Sequence, residues 1–258
     1  MLFLLSPAKK LQCDGVQDSF PVTESMHLDE ASYLINKLKS KTPRSLKKMM
    51  GISDDLANLN HERFQHWNSE PNAEQAMQAV LLFQGDVYQG LEAASWNKKD
   101  MDYAQSSVRI LSGLYGILRP LDKVMPYRLE MGSDFKVTPA KTNLYKFWGD
   151  AIKQDIESDL AAQDDQVIVN LASNEYAKAA RLPKIDARII SPEFRDEHNG
   201  QYKMISFFAK KARGMMSRYA VKNKIKNVED LKGFDYEGYY FNNKLSVGDK
   251  WVFTRDKR

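Results

Sequence analysis

The feature that most narrows the fold is a pattern repeated along the chain. A short apolar run stops at a small or polar residue and gives way to helical spacing. Met1 to Leu5 runs into Ser6-Pro7-Ala8-Lys9-Lys10, and Ala79 to Phe83 leads to Gly85-Asp86-Val87-Tyr88. Val108 to Leu111 leads to Ser112-Gly113, and Val167 to Val169 leads to Asn170-Leu171-Ala172-Ser173. Runs of this length and branching are strand-like, and the polar residues after them stand where helix caps belong. Ser6 with Pro7 reads as an N-cap followed by a first-turn proline, and Ser173 or Asn174 as a cap for the helix carrying Tyr176. If these strands share a sheet, their carboxyl ends lie together and their loops line one cleft, where open α/β sheets take ligands.

Helical spacing is expected at 29–40, 43–50, 54–66, 73–80, 100–106, 143–162, 174–180 and 209–224, and strands at 187–190, 203–208 and 250–254. The fold class is mixed α/β of irregular, α+β-like topology: a central sheet with flanking helices in a single compact domain over 1–258. With 43% hydrophobic residues the chain can build a core. No apolar run approaches a membrane span, and Met1 to Leu5 is too short for a signal peptide. The lone Cys13 excludes an internal disulfide and points to the cytoplasm. His27, His61, His66 and His198 are scattered, so no metal site and no cofactor are expected. The expected state is a monomer.

The stretch Ser112-Gly113-Leu114-Tyr115-Gly116-Ile117-Leu118-Arg119-Pro120-Leu121-Asp122, with Pro126-Tyr127-Arg128-Leu129-Glu130-Met131-Gly132, carries the densest chemistry. Gly113 and Gly116 imply positive φ or close approach of another group, and Pro120 and Pro126 stiffen the segment. A bland reading has its arginines merely capping carbonyls. The functional one has a cleft collecting Ser6, Lys9, Asp86, Tyr88, Ser112, Tyr115, Arg119, Tyr127, Arg128, Glu130, Asn170 and Ser173. There Lys9, with its pKa lowered by burial near Arg119, would be a nucleophile. Glu130 or Asp86 would exchange protons, and Arg119 or Arg128 would clamp a phosphate or carboxylate. On that reading Lys9, Ser112, Arg119 and Glu130 form the catalytic set of an enzyme acting on a nucleotide or nucleobase.

Charge offers a second reading. The net charge is only +4, but Ala31 to Ser53 holds six basic residues and no acid, and Lys203 to Lys232 holds nine against Glu229 and Asp230. Two basic islands on an otherwise acidic chain suggest a phosphate footprint, against the plain alternative of solvated helix faces. Within 43–60, Leu46-Lys47-Lys48-Met49-Met50-Gly51-Ile52-Ser53-Asp54-Asp55-Leu56 resembles a helix-hairpin-helix, whose turn offers backbone N–H groups to a DNA phosphate. Ser53 replaces the second glycine of that motif, and Asp54 and Asp55 would repel a phosphate, so an ordinary αα-hairpin stands beside it. The expected contacts to double-stranded DNA are Lys47, Lys48, Gly51, Ile52, Ser53, Lys210, Lys211, Arg213 and Arg218, of low sequence specificity. Tyr88, Tyr115 and Tyr127 would stack on exposed bases.

Five separated blocks together resemble the YaaA family of peroxide-stress proteins: Ser6 to Leu11, Phe83 to Leu91, Ser112 to Gly132, Asn170 to Tyr176, and Ala209-Lys210-Lys211-Ala212-Arg213-Gly214-Met215-Met216-Ser217-Arg218-Tyr219. The resemblance covers essentially the whole chain. It implies a cytosolic bacterial protein that limits hydrogen peroxide damage in association with lower free iron. It also implies a single mixed α/β fold with a helix-hairpin-helix, a positively charged cleft and DNA binding. The Ser112 to Pro120 pattern with its later Pro-Tyr is also similar to domains found alongside 7-deazaguanine base-modifying proteins, which would make the cleft a site for a nucleotide-like small molecule. A direct iron site would need His with carboxylates or several thiolates, so an indirect effect on iron is expected.

Overall fold

The computed structural model describes residues 1–256. Its main sheet has five strands in the spatial order Gly116–Leu118, Val108–Ser112, Leu2–Leu5, Val167–Asn170, Arg188–Ile190. Leu2–Leu5 is central and runs parallel to both neighbours, with Phe3 opposite Val108 on one side and Val169 on the other. Arg188–Ile190 extends the parallel set, and Gly116–Leu118 closes the other edge antiparallel, as a hairpin from Val108–Ser112. All four residues of Leu2–Leu5 and all five of Val108–Ser112 are buried, as expected where helices cover both faces of a parallel sheet. The carboxyl ends of three predicted strands therefore meet, as the sequence pattern requires.

A smaller sheet, ordered Gln201–Lys203, Glu193–His198, Val252–Arg255, Tyr240–Phe241, packs against the helix Ser206–Asn223. That helix also lies on the short helix Asp86–Leu91 with unusual intimacy. A Cβ on Gly214 would fall 1.7 Å from the Val87 carbonyl oxygen, and one on Gly90 would fall 2.1 Å from that of Lys211. The two glycines let the backbones touch, and this contact fixes one wall of the cleft.

Helix ends follow their capping chemistry. Thr42 Oγ1 accepts from the Ser45 N–H at 3.3 Å to open Pro43–Met50, and Gly51 closes that helix in the left-handed region at φ +62°. Ser53 then caps Asp54–His66, with Asp54 and Asp55 in its first turn. The segment 43–66 is thus two packed helices joined by a tight turn.

Several local expectations are corrected. Ala79 to Phe83 is not a strand of the main sheet, and 73–80 is not a helix. Met77–Gln78 pairs with Lys123–Val124, Ala79–Leu82 makes one helical turn, and Phe83–Gln84 pairs with Lys10–Leu11. The strand expected at 203–208 stops at Lys203, because Ser206 already belongs to the 18-residue helix. The helix expected over 143–162 is broken at Gly149, φ +55°, into Leu144–Trp148 and Ala151–Ala161. Ser6 caps no helix: its hydroxyl instead accepts from the Ser173 N–H at 2.8 Å, tying two strand ends together. Ser173 stands at the N-cap of Asn174–Ala179 without a side-chain capping bond. Among the described residues no helix is long and apolar enough to cross a membrane.

Candidate functional site

A cavity of about 430 Å³ opens where these strands end. Ser6, Lys9 and Lys10 come from the turn after Leu2–Leu5, and Leu171, Ser173, Glu175 and Tyr176 from the segment after Val167–Asn170. Tyr127, Arg128 and Glu130 belong to the stiff segment that follows the hairpin. Phe83 to Val87 and, across the helix contact, Lys210 and Arg213 complete the wall.

The stiff segment owes its course to close packing. Gly113 has no room for a side chain, since a Cβ there would lie 2.2 Å from the Leu129 carbonyl oxygen, and Gly116 takes φ +69° against the Trp148 ring. Behind the wall, the buried Ser112 hydroxyl shares a 2.6 Å hydrogen bond with the Tyr127 hydroxyl and accepts the Leu114 and Tyr115 N–H groups at 3.2 and 2.9 Å. Ser112 is thus the keystone of the turn and does not line the cavity. Tyr115 is also buried there, its hydroxyl accepting from Trp67 Nε1 at 2.9 Å. The Tyr88 hydroxyl donates to the Ser6 carbonyl at 3.0 Å.

Burial pushes the phenols of Tyr88, Tyr127 and Tyr176 well up, and that of Tyr115 to about 12. These rings stay neutral at physiological pH and serve as apolar walls and donors rather than bases. On the rim, Glu130 accepts from Lys9 Nζ at 2.7 Å and from Arg128 at 3.1 Å. The Lys9 side chain is 64% exposed. The burial beside Arg119 that an amine nucleophile would require is absent.

Arg119 lies elsewhere. Its Nε holds Asp122 at 3.1 Å and its terminal nitrogen donates to the Glu24 carbonyl at 2.8 Å, the carbonyl-capping role of the bland reading. Asn170 also turns away, into a second cavity of about 720 Å³ with Tyr145, Lys178 and Arg181. Of the expected cleft residues the fold therefore gathers Ser6, Lys9, Asp86, Tyr127, Arg128, Glu130 and Ser173 on one cavity.

The basic islands fare unequally. In the second, Lys211 pairs with Glu237, Arg218 with Glu92, Lys222 and Lys224 with Asp100, and Lys232 with Glu229. Lys211 and Arg218 are thus committed to carboxylates supplied by distant parts of the chain, whereas Lys210 and Arg213 face the cavity with no ion-pair partner among the described residues. In the first island, Lys47 meets Asp54 at 2.8 Å, and Arg44, Lys48, Gly51 and Ile52 share with them a shallow hollow at the turn. Ser53 stays at its N-cap.

Sequence reasoning missed Lys10, Glu175 and Tyr176 as cavity residues, and assigned Arg213 to a DNA surface. The signal for Glu175 and Tyr176 was present, since both lie in the first turn of the helix Asn174–Ala179 that follows a strand end. No group of three or more metal-ligating side chains occurs among the described residues.

Comparison with known proteins accords with this architecture. A family model described as "Peroxide stress protein YaaA" matches residues 1–245. A relative from Teredinibacter turnerae, described as a "UPF0246 protein", is 47% identical over 255 residues, covering 99% of each chain. The family match spans nearly the whole chain, and the chain belongs to the peroxide stress protein YaaA family.

Proposed function

We propose that this protein contributes to peroxide resistance in the cytoplasm by binding duplex DNA through its phosphates and so limiting iron-driven damage there. The observation that carries the reading is the turn at Gly51. Arg44 and Lys48 stand there without carboxylate partners among the described residues, beside Lys47, around an open hollow at the start of the helix Asp54–His66. Cations gathered on a tight turn suit a phosphate chain better than a base edge, so binding has little sequence preference. Asp54 takes part of the Lys47 charge, which makes Lys48 the stronger contact.

The chemistry links to iron without a metal site. A protein that neutralises phosphates releases the cations condensed on DNA. Ferrous ion is one such cation, and peroxide does its damage where ferrous ion sits. Coverage of the backbone therefore moves hydroxyl-radical production away from the strand.

The test is duplex binding followed by fluorescence anisotropy across a salt series, with Lys47→Glu/Lys48→Glu as the comparison. Loss of two phosphate contacts flattens the log–log salt slope by roughly 1.8. A slope indifferent to the double reversal overturns the assignment. Strand breakage by ferrous ion and peroxide should fall at saturating protein and recover with the variant.

A further inference from the structure

Arg213 is the least explained side chain of the cavity. The half-buried or buried arginines Arg109, Arg218 and Arg255 meet Asp159, Glu92 and Asp196 respectively. Among the described residues Arg63 and Arg213 both lack such a carboxylate and have a pKa lowered by burial, and of these two Arg213 lines the cavity. Among the described residues Arg213 makes neither a hydrogen bond nor an ion pair, although partial burial lowers its pKa. A partly desolvated guanidinium without an acceptor is costly, and it is retained where an anion arrives from outside.

Its position is also tightly held. Arg213 precedes Gly214, where a Cβ would fall 1.7 Å from the Val87 carbonyl oxygen, so the close helix contact fixes the backbone beside this cavity-lining guanidinium. Lys210, one turn earlier, lies on the same wall, and Lys10, with no ion-pair partner among the described residues, also lines the cavity. Around the whole cavity five cations face three carboxylates, and one of these, Glu130, is already held by Lys9 and Arg128. Below this rim the wall is apolar and aromatic, built of Phe83, Tyr127, Leu129 and Tyr176.

A cationic rim over an aromatic floor selects a molecule with a flat ring at one end and an anion at the other. The volume, about 430 Å³, falls toward the small end of ligand sites and excludes a duplex. We propose that this cavity binds one phosphorylated nucleoside unit, with the phosphate on Arg213 and Lys210 and the base against Tyr127 and Tyr176. The unit is either a free mononucleotide or the 5′-phosphorylated end of a single strand, which present the same chemistry. The site is independent of the duplex-binding turn, and a Lys47→Glu/Lys48→Glu chain retains it.

The experiment is isothermal titration of the intact protein with a panel of nucleoside monophosphates, the matching nucleosides, and inorganic phosphate. The expected result is one mononucleotide per chain, with affinity lost when the phosphate is removed. Arg213→Gln should weaken binding by about tenfold or more, since a charge-assisted contact is lost. Lys210→Gln, at an exposed helix position, should weaken it by less and leave folding intact, so the test survives if Arg213→Gln misfolds. No saturable binding by any mononucleotide or by a 5′-phosphorylated oligonucleotide overturns the proposal. So do inorganic phosphate binding as tightly as the nucleotides, and Lys210→Gln and a folded Arg213→Gln binding like the natural chain. Competition by the 5′-phosphorylated oligonucleotide, compared with its unphosphorylated form, identifies the strand end as the source. Binding without such competition identifies the free nucleotide.

Discussion

Replacing Gly214 by alanine tests the contact that sets one wall of the cavity. In an ordinary helix interior the change would stabilise by about 1 kcal/mol, because alanine is the better helix former. Here the added methyl would lie 1.7 Å from the Val87 carbonyl oxygen and 2.8 Å from the Leu91 nitrogen. Both are backbone atoms, which cannot rotate aside, so Asp86–Leu91 and Ser206–Asn223 must part by more than about an ångström. Overpacking commonly costs about 1–3 kcal/mol, and backbone against backbone puts this site at or above the top of that range. The net expectation is a loss of about 2–4 kcal/mol. For a chain of 258 residues each kcal/mol corresponds to about 2 °C, so Tm should fall by about 4–8 °C. Thermal unfolding followed by circular dichroism reads this directly, with Lys210→Ala, exposed on the same helix, as the neutral control. A Gly214→Ala chain melting at or above the natural temperature would refute the close approach.

Two further outcomes follow from buried polar groups. His27 Nε2 lies 2.6 Å from Asp155, and that hydrogen bond raises the imidazole pKa against the opposing effect of burial. A raised folded-state pKa means the contribution is fully present below the unfolded value of about 6.5 and is lost as pH rises through the folded value. Urea unfolding at pH 5.5 and pH 8.5 should therefore separate the natural chain from His27→Gln more at the lower pH; an equal or reversed difference removes the pair as a source of stability. Tyr115→Phe deletes the acceptor of the Trp67 Nε1–H in the core and should cost about 1–3 kcal/mol in urea unfolding, whereas an unchanged midpoint would show that the indole needs no partner.

Much of this architecture is legible in the sequence where local chemistry decides it. Val108–Ser112 and Val167–Asn170 announce themselves because parallel strands buried on both faces are continuous apolar runs ending in polar loops. Pro43–Met50 and Asp54–His66 carry caps at both ends of the turn between them. Gly113 and Gly116 stand where the backbone needs their lack of a side chain. Expectation failed where the deciding partner is distant. Ala79–Leu82 is apolar enough for a strand, but its neighbours are claimed by two small pairings with Lys123–Val124 and Lys10–Leu11. Met204 to Phe208 looks β-like, yet helix propagates back to Ser206 and leaves Phe207 exposed. Much of the second basic island is neutralised from afar, by Asp100, Glu92 and Glu237, which leaves Lys210 and Arg213 to the cavity. Of the site, the rim residues at strand ends were legible, while the isolation of Arg213 was not, because the absence of a partner is a property of the whole fold.

The central place of Leu2–Leu5 bears on how the chain folds during synthesis. Its neighbours lie at Val108–Ser112 and Val167–Asn170, so this apolar segment leaves the ribosome long before either partner exists. The main sheet cannot be completed until residue 190 has been made, and pairings of such sequence separation form slowly. A fully apolar strand waiting that long is exposed to wrong partners, and its shelter in the meantime falls to chaperones or to transient contacts with the helices that follow it. Translation speed between residues 5 and 190 thus becomes a determinant of yield, and slowing it should lower the fraction of chains that reach the folded sheet.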